Sequence, residues 1–467
     1  MSARASHTAA ARGLMTQASA RLATLNLAAD AQAGPALPSV QSQAEGVNRF
    51  NVGSGLPSVQ SMRRRRTASV AGDTGAGFLT LVRDEDGTYD WRVDAGPSPG
   101  PQAMPRRATR RGGRLFEAEP IDQALFKPVQ GSQVTQALDA LDGNFNPRYG
   151  LFDLAGKRID AVAATGRILL IVHGTFSNSD AITGPFAPLL AQAKAAGYDQ
   201  IMVFEHPTLA VSPFLNALDL ARAFEGSKAQ VDIVAHSRGG LVVRWWLEVL
   251  DRAAGPRARV VFFGSPLMGT GLASPYRLRA ALKLLTNVAV AAQGTAQLAS
   301  LAVPLFTVVQ GLMTLLASGT RVLASTPLPD AAVALVPGLA AMSRYGPDAS
   351  EYVQGNHELG KLGFGLPAAP AGYHAVLSNF EPTDEGWKFW RLFRNAKERV
   401  GDVAADVIFA GQNDLVVDTP SMTSLSPIVQ LVDPARQLDF QTSATVHHLN
   451  YFHQPESAAF VRKVFGF

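Results

Sequence analysis

Cysteine is absent from this 467-residue chain, which excludes disulfide staples and thiol catalysis alike. A fold of this size needs no such staples, so the absence points to no particular compartment. Charge is scarce as well. Asp, Glu, Lys and Arg together make up 17% of residues, so much of the surface must be Ala, Gly, Ser, Thr and Gln. No H-E-x-x-H string occurs and the nine histidines are scattered, so neither a metal centre nor a cofactor is expected. No uninterrupted apolar core leads into the small-residue stretch Asp30–Ala33, so a secretory signal is not expected. A cytoplasmic protein is the default reading, with export by a non-Sec route as the alternative.

What charge there is lies unevenly. The net charge is +4, yet residues 1–82 hold eight arginines against Asp30, Glu45 and Asp73. Arg63–Arg66 form a tetrad, and PRRATRRGGR (105–114) is a second cluster. No aromatic residue is interleaved with these runs for base stacking, so nucleic-acid binding is not expected and a solvated basic linker is. Residues 1–115 read as a flexible basic region, with LPSVQS duplicated at 37–42 and 56–61. Within it, GFLTLVRDEDGTYDWRVD (77–94) alternates apolar and polar residues around Asp86-Gly87 and predicts a β-hairpin. GPSPGPQAMP (96–105) reads as a linker.

The richest stretch is VDIVAHSRGG (231–240), followed by LVVRWWLEVL. A β-branched apolar run, a turn and a helical pattern place Ser237 at a strand–helix apex. Such a turn strains the serine backbone and requires small residues two positions before and after it, here Ala235 and Gly239. Upstream, RILLIVHGTFSN (167–178) is a buried strand ending in His173-Gly174-Thr175. Its loop can offer the Thr175 N–H to an oxyanion, with the Arg238 N–H as the second donor. Downstream, DVIFAGQNDLVVD (406–418) predicts a strand and a turn carrying Asp414, with Asp418 as the fallback acid. TVHHLNYF (445–452) supplies a base, His447 or His448. His173, Phe176 and His236 are pocket candidates: His173 as an organiser of the oxyanion loop, His236 packed beside the elbow. His206 either lines the pocket or supports the fold, and His453 reads as a surface or packing residue.

Ser, Asp and His in that chain order, with VHGTFSN, AHSRGG, VVFFGSPLMGT (260–270), GQNDLVV and HHLNYF, resemble the α/β-hydrolases of the lipase and esterase type. GSPLMGTGLA (264–273) is similar to the stretch after the sixth strand in bacterial lipases and GPI-inositol-deacylase-like enzymes. The resemblance covers Arg167 to Phe467. It implies an α/β fold with a mostly parallel sheet flanked by helices, over residues 116–467. It also implies a Ser237–His448–Asp414 triad, His448 being favoured by the spacing to Tyr451-Phe452. Between Met268 and about Gly372 lies a long insertion, whose residues 284–320 carry no charge. A membrane span is one reading. The preferred one is an apolar helical lid or cap over about 270–370, suited to an apolar ester or transient contact with a lipid surface, and the third is core or an oligomer interface. The function expected is cleavage of carboxylic esters with apolar acyl groups. A polyester depolymerase, thioesterase or amidase, and a partner-dependent lipase-like effector, are the alternatives. The oligomeric state is left open.

Overall fold

A computed structural model describes residues 3–24, 77–84, 87–94, 119–126, 134–273, 278–296, 298–322, 336–343, 356–363, 365–383, 386–387, 389–390, 408–409 and 411–467. The chain divides into two compact units, residues 1–137 with 282–328, and residues 138–281 with 329–467. The LPSVQS repeat, both arginine clusters and the Pro/Gly linker lie outside the described residues.

The smaller unit is built on a three-stranded antiparallel sheet of order β2-β1-β3, with β1 Gly77–Arg83, β2 Tyr89–Asp94 and β3 Glu119–Phe126. The expected hairpin is the β1–β2 pair, in register from Phe78 opposite Asp94 to Arg83 opposite Tyr89. Ala3–Thr24 is a helix, where the sequence analysis expects a flexible segment. Its Ala11, Leu14, Met15, Ala18 and Leu22 recur at helical spacing and are buried. The low hydropathy of the remaining positions hides that stripe.

The uncharged stretch of the insertion, 284–320, belongs to this unit. Helix Ala299–Val322 runs along Ala3–Thr24, with Gln310 donating to Ser19 Oγ at 3.0 Å. In helix Leu278–Gln293, the Asn287 side chain accepts from the Tyr89 N–H and donates to its carbonyl, both at 2.9 Å. Trp91 donates its indole N–H to Thr286 at 2.7 Å and packs on Phe306, with ring centroids 5.5 Å apart. Residues 282–322, read from sequence as part of a lid, thus complete the core of the N-terminal unit. Their apolar character follows from burial: Leu284, Val288, Ala289, Phe306, Val308 and Val309 are all inside. Ala299–Leu316 is long and apolar enough to cross a membrane by composition, but 61% of it is buried within the structure.

The larger unit holds a seven-stranded mixed sheet: β4 Gly150–Asp153, β5 Arg167–Val172, β6 Gln200–Glu205, β7 Gln230–His236, β8 Ala258–Phe263, β9 Tyr373–Phe380 and β10 Gln437–Ser443. The order is β10-β9-β8-β7-β5-β6-β4; β4 is antiparallel to β6, and all other pairs are parallel. β5, β7 and β8 read as near-continuous apolar runs because helices cover both faces of a central parallel strand. Flanking helices include Ala187–Ala195, Pro213–Ala223 and Pro455–Phe465. Under the N-terminal ends of the strands, Asp232 accepts two hydrogen bonds from Arg259, at 2.6 and 2.7 Å. Arg259 also reaches the carbonyls of Val464 and Phe465, fastening the last helix.

From β5 the chain steps to β6 on one side and then to β7 on the other. The carboxyl ends of β5 and β7 therefore flank a switch point, where open α/β sheets place their ligand crevices. β9 was not foreseen as a strand. Of the stretch 406–418, expected to run from a strand into the Asp414 turn, residues 408, 409 and 411–418 are described; Ile408 and Phe409 are buried, and neither belongs to the seven strands. The Asp414 turn is instead tied to the end of β9. The Phe380 N–H donates to the Asn413 carbonyl at 2.7 Å, and Thr419 Oγ1 donates to the Ser378 carbonyl at 2.8 Å.

Candidate active site

Ser237 stands between β7 and the helix Gly239–Arg244, which continues as one wide π turn through Leu250. Its φ is +52°, a left-handed conformation that costs a non-glycine residue about 1–3 kcal/mol. Four described non-glycine residues have positive φ, and three lie at this site: Phe176, Ser237 and Leu415, beside Asp414. Strain gathers where three loops must present particular groups.

The glycines of the turn have steric reasons. A Cβ on Gly239 would stand 2.6 Å from the carbonyl oxygens of Val172 and His173. One on Gly174 would stand 2.6 Å from the Ser237 Cβ, so the loop after β5 lies directly against the serine. One on Gly264, at the end of β8, would meet Asp414 Oδ2 at 2.7 Å, Tyr451 Cε2 at 2.8 Å and His448 Nδ1 at 2.9 Å. These three glycines thus bring β5, β7, β8, the acid turn and the histidine loop into one place.

Asp414 is wholly buried, and every hydrogen bond shown to its carboxylate comes from a donor. Oδ1 accepts from the Val416 and Val417 N–H groups at 3.1 and 2.8 Å. Oδ2 accepts from His448 Nδ1 at 2.8 Å and the Tyr451 hydroxyl at 2.9 Å. The His448 N–H donates to the Asp414 carbonyl at 2.9 Å, a second tie between the two loops. Asp418, the fallback acid, lies across the turn as a backbone partner of Asn413.

The two adjacent histidines have separate environments. His448 meets Asp414. His447 turns into an aromatic pocket, its ring 5.0 Å from Phe380 and 5.1 Å from Trp387, and its Nδ1 accepts from the Leu449 N–H. Burial pushes the His447 imidazole down to about 3. The same desolvation lowers His173, His206 and His236. The unfolded chain therefore binds more protons than the folded one below the ordinary histidine value of 6.5. This contribution to stability is whole above pH 6.5 and is lost as pH falls towards about 3. His447→Phe is expected to flatten the acid side of the stability curve by up to about 1.4 kcal/mol per pH unit. Urea unfolding across that range measures the slope.

His236 donates Nε2–H to the His448 carbonyl at 3.0 Å, and its ring lies 4.7 Å from that of His448. Its tie to the histidine loop runs through the backbone. His173 is buried at the end of β5, stacked on His206 at 4.1 Å. Its Nε2 accepts from the His206 N–H at 3.3 Å and its Nδ1 meets the Gly174 carbonyl at 2.9 Å, which fixes the Nδ1–H tautomer.

Behind His173 sits a hub the sequence analysis missed. Glu205, fully buried, accepts from Asn146 at 2.5 Å, from Arg148 at 2.9 Å and from the Ser179 hydroxyl. A glutamate closing the apolar strand QIMVFE was the available signal. Thr175 contacts Met342 through its hydroxyl, and Phe176 packs on Phe145. The Arg238 side chain is wholly buried and donates Nη2 to the Val211 carbonyl and Asn216 Oδ1. Desolvation pushes it down to about 10, opposed by the Asp142 and Glu358 carboxylates. His453 closes the short turn Tyr451–His453, its N–H donating to the Asn450 carbonyl at 3.0 Å.

No curated protein matches the chain. Among solved structures, the lipase BlEst2 of Bacillus licheniformis in its mature form is similar at a TM-score of 0.32 and 16% identity, covering 67% of this chain and 97% of that one. Its propeptide form follows at 0.31 and 14%, covering 65% and 51%. Lipase B of Aspergillus fumigatus is similar at 0.21 and 15%, covering 30% and 31%. Residues 143–466 match the model of a domain of unknown function, DUF7379, and the chain belongs to that family.

Proposed function

We propose that this chain is a serine hydrolase of the α/β-hydrolase type that cleaves carboxylic esters with an apolar acyl part. The observation that carries the reading is the 2.8 Å contact between His448 Nδ1 and the buried Asp414 carboxylate, at the sheet end where Ser237 sits on a strained turn. A serine hydroxyl is a weak nucleophile until a base takes its proton. Asp414 keeps the His448 proton on Nδ1, leaving Nε2 free to act as that base.

Ser237 Oγ attacks the ester carbonyl carbon as His448 Nε2 takes its proton, giving a tetrahedral oxyanion. The N–H groups of Thr175 and Arg238 are the donors assigned to that oxygen. The close approach of Gly174 to Ser237 supports the first. Return of the proton to the leaving alkoxide breaks the C–O bond, and water then releases the acid through the same base. Fixed donors of this kind are worth about 100- to 1,000-fold each.

The apolar part of the reading rests on the surroundings of the Thr175 loop, where Met342, Phe145 and Phe176 gather. Hydrolysis of p-nitrophenyl esters from acetyl to palmitoyl tests it. A rate maximum at medium or long chains is expected. Activity confined to acetyl would overturn the acyl preference, and inactivity on every ester would overturn the substrate class. The triad itself would equally serve thioesters and amides, which belong in the same panel.

A further inference from the structure

We propose that Tyr451 is a positioning residue for the triad acid, acting as the middle member of a hydrogen-bond relay Ser378–Tyr451–Asp414. The inference rests on the hydrolase reading above and goes beyond its three residues.

The Tyr451 side chain is fully buried. Its hydroxyl donates to Asp414 Oδ2 at 2.9 Å, the same oxygen that accepts from His448. Ser378 Oγ, on β9, lies 3.0 Å from the same hydroxyl. The Tyr451 proton is committed to the carboxylate, so Ser378 donates to Tyr451. The Ser378 carbonyl in turn accepts from Thr419 just past the acid turn, at 2.8 Å. Successive hydrogen bonds polarise one another in a buried setting. Burial, then the Asp414 charge, raises the phenol well above its ordinary value, so it stays a donor throughout the working range.

The ring is held as firmly as the hydroxyl. It packs on Phe263 of β8 and Phe440 of β10, and the missing side chain of Gly264 leaves the space its edge occupies. Two backbone N–H groups fix Oδ1, and Tyr451 fixes Oδ2. Without Tyr451 the second oxygen keeps one partner, the imidazole it is meant to orient. The titratable groups around this carboxylate are His448, His447, His236 at the end of β7 and, beyond the phenol, Asp439 on β10.

A donor to Oδ2 also draws charge from the carboxylate. Tyr451→Phe therefore has two expected effects in the full-length protein with p-nitrophenyl butyrate. Both kcat and kcat/KM fall together by about 10- to 100-fold with KM little changed, as for an interaction that matters in the transition state. The acid limb of kcat/KM moves to higher pH, because an unshared carboxylate holds the imidazolium more strongly. A residue that only filled space would leave the limb in place.

Ser378→Ala guards against a misfolded first variant. It leaves the phenol present, and a smaller change in the same two directions is expected. If Ser237→Ala abolishes activity while Tyr451→Phe and Ser378→Ala leave rate and pH profile unchanged, the Tyr451 proposal is overturned and the hydrolase reading stands. If Ser237→Ala leaves activity intact, the hydrolase reading itself fails.

Discussion

Ser237→Ala is expected to lower kcat for ester hydrolysis by about 10⁴- to 10⁶-fold, with KM almost unchanged. The substitution removes one oxygen and nothing else. Alanine keeps the Cβ against which Gly174 packs, and the backbone ties remain: the residue 237 N–H on the Phe263 carbonyl at 2.9 Å, and the Gly240 N–H on the residue 237 carbonyl at 3.0 Å. The positive φ is no harder for alanine than for serine, so the fold and the substrate crevice should survive. What disappears is the acyl-enzyme route. The rate that remains should come from the oxyanion donors and from binding alone. Steady-state kinetics on purified wild type and variant measure the difference. Retention of more than about a hundredth of the rate would remove Ser237 from the mechanism.

Asp414→Asn is expected to cost about 10⁴-fold in kcat with little change in shape. The hydrogen bonds around the carboxylate give the reason. Oδ1 receives two backbone N–H groups that cannot turn away, so an asparagine must offer its carbonyl oxygen there. Its NH2 group then faces His448 Nδ1 and the Tyr451 hydroxyl. To accept that proton, His448 must carry its own on Nε2, the nitrogen that should take the serine proton. The variant should fold, bind ester and fail to turn it over. A loss of less than tenfold would mean that Asp414 does not set the tautomer.

Parts of this site were legible in the sequence because backbone geometry dictates residue type over short stretches. Ala235-His236-Ser237-Arg238-Gly239 announces a turn that tolerates only small flanks, and the contacts of Gly239 give the reason. The order of Ser237, Asp414 and His448 was readable, and spacing favoured His448. What separates it from His447 is tertiary: both are buried, and only the fold directs one to Asp414 and the other to Phe380 and Trp387.

The misses have physical causes. β9, YHAVLSNF, lacks the apolar run of its neighbours because its polar residues serve the acid turn. Ser378 meets Tyr451, and Asn379 accepts from the Asn413 N–H at 3.3 Å. A strand that carries such partners cannot look like β5 or β8. The uncharged stretch 284–320 was read foremost as a lid over the active site. Its partners, Tyr89, Trp91 and Ser19, are far away in sequence, in a region whose composition suggests flexibility. Glu205 was missed because a charge closing an apolar strand does not reveal its partners, and Asn146, Arg148 and Ser179 reach it from distant parts of the sequence.

The most direct test of the central claim is covalent capture of the nucleophile. Wild-type protein should be treated with a fluorophosphonate carrying a medium alkyl chain, digested, and mapped by mass spectrometry. A single phosphonyl adduct on Ser237 is expected, absent in Ser237→Ala and greatly slowed in Asp414→Asn. No adduct on the folded protein, or one on another residue that persists in Ser237→Ala, would contradict the assignment of Ser237 as an activated nucleophile.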